Sequence, residues 1–312
     1  MITGTVAVCT RNRAAVLPGC LASLDAQLAE PGQLDVLVVD NGSTDATPDL
    51  LRDWAAAGPD RRAVVEPRVG LSHARNAALR TSGREVVLFL DDDALAASTW
   101  AHAHLRAHGE DDKVGSVGGP IGLEWPAEGR PGWISDEITM WFSLLDLGDD
   151  AGPFPTEHGP YGTNMSVRRL PALEVGGYDP GLGRSGRRLL SGEEPDLTRR
   201  LAGAGWAIRY EPAAAVVQQV LPERLDRRWL LRRGWSQGRT NARRAVRARE
   251  EPGRGGRLRR AADEVRETTA ALGRRRDGSQ DEMTALIAAL VHAGTAAEWA
   301  RSLIRPDDRS TG

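Results

Sequence analysis

Four short apolar runs recur through the first 90 residues, and each is continuous rather than alternating: Val6–Cys9, Leu34–Val39, Ala63–Val65 and Val86–Leu90. Strands of that kind are covered on both faces, as in a parallel sheet flanked by helices. Helical patterns fill the gaps. Leu17, Leu21, Leu24 and Leu28 return on one helix face. Thr44 or Asp45 can cap a second helix that reaches about Ala57. Gly70 leads into a third over Ser72–Arg80. The alternation predicts an α/β fold: one doubly wound, mostly parallel sheet with helices on both faces.

In such a sheet, ligands bind beyond the carboxyl ends of the strands. Three of those ends carry polar groups: Thr10-Arg11-Asn12-Arg13, Asp40-Asn41-Gly42-Ser43 and Asp91-Asp92-Asp93. The fold gathers all three at one edge. Clustered aspartates repel one another unless solvated, protonated or bound to a cation. A hard divalent ion held by one or two carboxylates plus diphosphate oxygens satisfies them. A solvated loop capping the next helix near Ser98 is the plainer reading of the same residues. Asp40 can accept hydrogen bonds from a nucleobase or ribose, although Asx turns and a helix cap explain its segment equally well. In Gly70-Leu71-Ser72-His73-Ala74-Arg75-Asn76, the helix amides and Arg75 can face an anion.

Further on, residues 118–163 are rich in Gly, Pro and Trp, with a short helix expected around Ile138–Leu145. Helices are expected at Val167–Val175 and Glu194–Ala204, and a last strand at Trp206–Ala215. Glu193-Glu194-Pro195-Asp196 opens the second of these helices, where the dipole favours acids. Two adjacent Glu after Ser191-Gly192 also offer a general base, an effect worth about 10²–10⁴-fold in rate. His102, His104 and His108 share a predicted helix without an H-E-x-x-H pattern and read as surface residues. No Walker A sequence, no G-x-G-x-x-G after the first strand and no G-x-S-x-G is present.

Charge divides the chain. Residues 1–217 carry 20 basic and 30 acidic side chains, and residues 218–312 carry 21 and 13. Residues 224–260 hold 14 Arg against 3 acids. That stretch reads as a basic helix over Trp229–Arg249, broken at Pro252–Gly256 and followed by helices around 257–272 and 281–303. The basic segment is a solvated surface, or a lid or tether contacting an anionic acceptor or a membrane surface. Sparse aromatics and no nucleic-acid motif argue against nucleic acid. No apolar run reaches the roughly 20 residues of a membrane span. With two cysteines and no visible secretory signal, a cytoplasmic location is expected, with a peripheral position at the inner membrane face left open.

Taken in order, seven segments resemble the inverting family 2 glycosyltransferases. They are Val8–Arg13, Val38–Asp45, Gly70–Ala78, Phe89–Asp93, Gly162–Met165, Gly176-Gly177-Tyr178-Asp179 and Gly192–Leu197. The resemblance implies a single GT-A-type domain plus a helical C-terminal extension. Residues 1–110 would form its nucleotide-sugar-binding half, 111–221 its acceptor-binding half, and 222–312 the basic extension. It implies a nucleotide-sugar donor, most often a UDP-sugar, a hydroxyl acceptor, and Mg²⁺ or Mn²⁺. Thr10, Arg13 and Asp40 would hold the nucleoside, with Arg75 nearby. Asp91 would approach the ribose, Asp93 would bind the metal, and Asn41 and Asp92 would be further substrate contacts. Gly162, Thr163 and Asn164 would line the sugar pocket, with Glu193 beside it. Glu194 would be the base, with Asp196 a second candidate because the family usually has Asp at position 194. Relatives often carry a metal-binding His after the last strand, where this chain has Val216-Val217-Gln218-Gln219. The processive Gln-x-x-Arg-Trp pattern is not reproduced, so single additions are expected. A homodimer stays open. The alternatives are a catalytically weak nucleotide-sugar or glycan-binding relative acting as an assembly partner, and a nucleotidyltransferase, which would need a Gly-rich loop that Thr10–Arg13 does not provide.

Overall fold

The computed structural model describes residues 2–29, 32–155, 159–186, 189–247, 253–273 and 279–304. Met1–Pro126, Phe142–Gly186 and Glu193–Leu221 form one compact unit. Ala127–Trp141, Arg187–Gly192 and Pro222–Gly312 form a second.

Among the described residues the first unit holds every strand: β1 (Gly4–Thr10), β2 (Leu34–Asp40), β3 (Arg61–Val65), β4 (Val86–Asp91), β5 (Ala94–Ala96), β6 (Val114–Gly118), β7 (Ile121–Glu124), β8 (Gly152–Pro153), β9 (Asn164–Arg168), β10 (Ala207–Tyr210) and β11 (Val216–Gln219). Its helices are α1 (Leu17–Asp25), α2 (Thr47–Ala56), α3 (Leu71–Thr81), α4 (Trp100–Glu110), α6 (Arg169–Glu174) and α7 (Glu193–Gly203). The second unit contains α5 (Asp136–Thr139), α8 (Arg227–Arg247), α9 (Arg254–Gly273) and α10 (Ser279–Ser302).

The large sheet runs β3-β2-β1-β4-β9-β6-β10-β8. β1 to β4 are mutually parallel, whereas β9 runs antiparallel to both β4 and β6. A smaller sheet runs β5-β11-β7. Successive residues of the central strands face opposite sides, which explains their unbroken apolar character. Val6, Val8, Val36, Val38, Leu88 and Leu90 pack with Leu17, Leu21 and Leu24 of α1 and with Trp100. Ala7, Leu37, Val39, Val87 and Phe89 pack with Ala74 and Ala78 of α3 and Leu197 and Leu201 of α7. Each Val, Leu or Phe among them that is fully removed from water contributes roughly 1.5–3 kcal/mol.

Several expectations are corrected. The helix expected over Val167–Val175 starts only at Arg169, because Asn164–Arg168 is a strand inserted between β4 and β6. The strand expected over Trp206–Ala215 ends at Tyr210, and Val216–Gln219 is a separate strand in the small sheet. The expected helix over Ile138–Leu145 is α5 followed by a 3₁₀ turn at Met140–Phe142. Asp93 is followed by the short strand β5 rather than by loop alone, and α4 begins at Trp100 with Thr99, next to Ser98, at its N-cap position. The basic helix is described to Arg247; of the break expected over Pro252–Gly256, Pro252 lies outside the described residues, and Arg254, Gly255 and Gly256 already form the first turn of α9.

His102 is exposed, but His104 and His108 are fully buried and are not surface residues. They share a helix face with Trp100 and enter the core together. His104 Nε2 lies 3.0 Å from Asn164 Oδ1, and Ser166 Oγ lies 2.9 Å from both His104 Nδ1 and His108 Nε2. Burial pulls His104 down to about 4 and His108 down to about 3, so both are neutral at pH 7.

In the second unit, α10 packs along both α8 and α9. Gly238 faces the Val291 carbonyl and Gly294 the Trp235 carbonyl, so the α8 and α10 backbones approach closely. Four arginines of α8 have partners within this unit, two of them on α10. Arg227 stacks on Trp133 and Arg233 on Trp141, while Arg239 and Arg243 both grip Glu298. Arg228, Arg232 and Trp235 remain exposed.

Candidate active site

Strand register brings the polar ends together. Thr10 lies opposite Asp40, and Cys9 opposite Asp91. Neighbouring strands are about 4.8 Å apart, so the three ends form one continuous edge. Thr10 Oγ1 donates to Asp92 Oδ2 at 2.7 Å, and Arg13 Nε lies 3.8 Å from Asp92 Oδ1. Burial and the adjacent Asp93 push the Asp92 carboxyl up to about 7, against the pull of Arg13 and Thr10. Asp40 is buried at its strand end and accepts the Ser43 amide at 3.0 Å.

Asn41 has a different use from the one expected. Its amide donates to the Glu66 and Arg68 carbonyls at 2.9 and 2.8 Å and accepts the Gly70 amide at 2.7 Å. This knot fixes the entry to α3, where Gly70 has φ of 150°, a region open to glycine. Asn164 is likewise committed to the fold. Its amide donates to the Pro120 and Ala214 carbonyls and accepts from Trp100 Nε1 at 2.8 Å.

Correct entry to α3 places Arg75 at the centre of the edge. Its side chain is 2% exposed, and Nη1 lies 2.7 Å from Glu194 Oε1 and 3.0 Å from Glu193 Oε1. Nη2 lies 3.5 Å from Asp91 Oδ1, and the group stacks over the Tyr178 ring at 5.5 Å. Burial opposes its charge, but Glu194, Glu193 and Asp91 outweigh that and hold it charged. Thr163 Oγ1 donates to Asp91 Oδ2 at 2.7 Å, joining a second loop to the cluster. Gly162 passes so close that any Cβ would run into the guanidinium and Glu194 Oε1.

The two adjacent glutamates differ in access. The Glu194 side chain is 15% exposed and Glu193 is 2% exposed. Asp196 stands apart from this cluster. Its carboxylate accepts from Arg199 at 3.0 Å and from Arg200 Nε at 2.9 Å, both along α7.

Asp93 is buried beside β11. Gln218 Nε2 donates to Asp93 Oδ1 at 2.6 Å, and the Gln219 amide to the Asp93 carbonyl at 2.8 Å. Gln218 Oε1 is buried without a hydrogen-bond partner among the described residues. No group of three His, Cys, Asp or Glu side chains suited to a metal occurs among the described residues. Asp93 and the orphaned Gln218 oxygen are nevertheless hard oxygen donors, and they fit a divalent cation completed by diphosphate oxygens and water. Gln218 had only a negative signal in the sequence, as a non-His at the position where relatives often carry one. Tyr178 sits in the Gly176–Asp179 segment, where nothing in the sequence signals its contact with Arg75.

Residues 5–172 match the family described as Glycosyl transferase family 2. Glucosyl-dolichyl phosphate glucuronosyltransferase of Haloferax volcanii is 26% identical over 237 residues, spanning 75% of this chain and 74% of that protein. Succinoglycan biosynthesis protein ExoM of Rhizobium meliloti is 29% identical over 244 residues, spanning 76% and 74% respectively. The mannosyltransferase PcManGT from Pyrobaculum calidifontis, solved with GDP-Man and Mn²⁺, aligns with a TM-score of 0.58 at 20% identity. That alignment spans 97% of this chain and 75% of the other and shows a shared GT-A fold. With the family match extending over more than half its length, the chain belongs to glycosyl transferase family 2 and is a glycosyltransferase of GT-A fold.

Proposed function

We propose that the chain transfers a sugar from a nucleotide-sugar, a UDP-sugar first among them, to an acceptor hydroxyl with inversion. The observation that supports this most is Glu194: accessible, clamped by Arg75, and at the same sheet edge as Asp40 and Asp91. Thr10, Arg13 and Asp40 shape the nucleoside end of the donor site, in the half of the fold formed by residues 1–110. Asp93 and Gln218 would hold Mg²⁺ or Mn²⁺. A divalent cation there offsets charge on the departing diphosphate. Glu194 removes the acceptor proton as the hydroxyl oxygen bonds to the anomeric carbon. The bond to the diphosphate breaks on the opposite face, and the proton stays on Glu194.

Nucleotide release from UDP- and GDP-sugars, with acceptors and with Mn²⁺ or EDTA, tests this. Asp93→Asn should raise the cation concentration needed for half-maximal rate by about 10-fold or more. Cation-independent release by both proteins would remove the metal from the reading. No nucleotide release with any donor would favour the binding-only relative instead.

We also propose that the second unit contacts an anionic surface, such as a phosphate-linked lipid acceptor or the membrane around it. The support is the exposure of Arg228, Arg232 and Trp235, together with the name of the Haloferax relative, which reports a dolichyl phosphate substrate. No described helix is long and apolar enough to cross a membrane. Each arginine near an anionic bilayer is worth about 1 kcal/mol. The double change Arg228→Gln and Arg232→Gln should therefore weaken binding to phosphatidylserine vesicles by roughly 30-fold. Equal vesicle binding by the double variant would place the contact elsewhere.

A further inference from the structure

We propose that Glu193 is a positioning residue, a carboxyl that keeps its proton at neutral pH and so leaves the Arg75 charge to Glu194. The inference rests on the reading of Glu194 as the base.

One guanidinium faces three carboxylates here, and two of them share a single nitrogen. Arg75 Nη1 meets Glu193 Oε1 at 3.0 Å and Glu194 Oε1 at 2.7 Å, while Nη2 faces Asp91. Glu193 is the most enclosed of the three. Ser72 and Gly183 wall it in, and a Cβ on Gly183 would come within 3.1 Å of its carboxyl carbon. Ser72 cannot help, because its hydroxyl donates to the Leu182 carbonyl at 2.9 Å. Glu193 Oε2 is therefore buried with no hydrogen-bond partner among the described residues. An ionised carboxylate places charge on both oxygens, and a buried anionic oxygen without a donor is far costlier than a buried hydroxyl. The charged or titratable groups facing it are Arg75 from α3, Glu194 on its own helix, Arg184 from the preceding loop, and Tyr178. Burial first, then the Glu194 charge, pushes Glu193 up to about 8, against Arg75 and Arg184. With Oε2 protonated, Glu194 is the sole full anion on Nη1. When Glu193 ionises, two anions compete for that nitrogen, and the clamp that orients Glu194 loosens.

The direction for stability follows. A folded value near 8 stands above the unfolded value near 4.3. The unfolded chain thus gives up this proton first, and the contribution of Glu193 to stability is lost as pH rises through 8.

Infrared difference spectroscopy on the full chain across pH 6–10 reads the proton directly. A protonated-carboxyl carbonyl band should disappear near pH 8, shift on ¹³C-glutamate labelling and be absent in Glu193→Gln. The label separates it from Asp92, and the labelled wild type needs no variant to fold. In transfer assays, wild-type kcat should be about tenfold lower at pH 9 than at pH 7, as one ionisation near 8 requires. In Glu193→Gln that alkaline fall should vanish, with KM for the donor unmoved by pH. An unlabelled band, no band at all, or an alkaline limb identical in the variant overturns the proposal. So does a folded Glu193→Gln that transfers no sugar at any pH, which would require the anion. A wild type with no transferase activity but with the labelled band would instead sink the assignment of Glu194 as base and leave the Glu193 proton standing.

Discussion

Glu194→Gln should cut sugar transfer by about 10²–10⁴-fold while donor affinity stays within a few fold. The substitution is nearly isosteric, and the amide oxygen can still accept from Arg75 Nη1, 2.7 Å from the native oxygen. Arg75 keeps Asp91 and Glu193 as partners, so the cluster stays assembled. What is lost is the capacity to take a proton from the acceptor hydroxyl. The loss should therefore appear in kcat rather than in the donor dissociation constant, measured by calorimetry with a nucleotide-sugar and Mn²⁺. Glu194→Asp tests distance separately, since one methylene withdraws the carboxylate by about a bond length. Asp196→Asn separates the two candidate acids. It breaks contacts with Arg199 and Arg200 inside α7 and should lower the melting temperature more than kcat. Transfer by Glu194→Gln within tenfold of wild type would place the base elsewhere.

The site is only half legible in the sequence. The continuous apolar runs announced strands β1 to β4, and their polar ends announced the edge, because both signals are local and repeat. β9 was hidden because Met165 and Val167 run straight into Leu170 and Leu173, where strand and helix periods are confounded over a few residues. β11 is four residues long and exists through pairing with β5 and β7, more than 90 residues away in sequence. Asn41 and Asn164 looked available for a ligand because a side chain's partners are invisible in a sequence, and both amides turn out to hold backbone carbonyls. His104 and His108 read as surface residues by their polarity, yet they share the helix face of the buried Trp100. The charge run in α8 overstated the free basic surface, since tertiary partners absorb Arg227, Arg233, Arg239 and Arg243. Arg75 was named as an anion contact, but its role as hub of Asp91, Glu193 and Glu194 depends on segments more than 100 residues apart.

That hub makes Arg75 the position where a single change should cost the fold most. Arg75→Met keeps much of the side chain's length and removes the only cation in direct contact with Glu193 and Glu194 among the described residues. Breaking a buried pair by deleting one partner costs about 3–5 kcal/mol, because the other charge remains buried. Stacking on Tyr178 is lost as well, worth about 0.5–2 kcal/mol. Arg75→Lys should recover only part of this, since an ammonium cannot reach Asp91 and the two glutamates with one planar fork. The defect should depend on pH in a definite direction. Arg75 lowers the Glu193 value that burial raises, so without it Glu193 holds its proton to still higher pH. Acid protonates the stranded carboxyls and relieves their repulsion, so the deficit measured by urea unfolding should be larger at pH 8 than at pH 5. Wild-type stability for Arg75→Met at pH 8, or a deficit that grows in acid, would mean that the three carboxylates are not held together by this arginine.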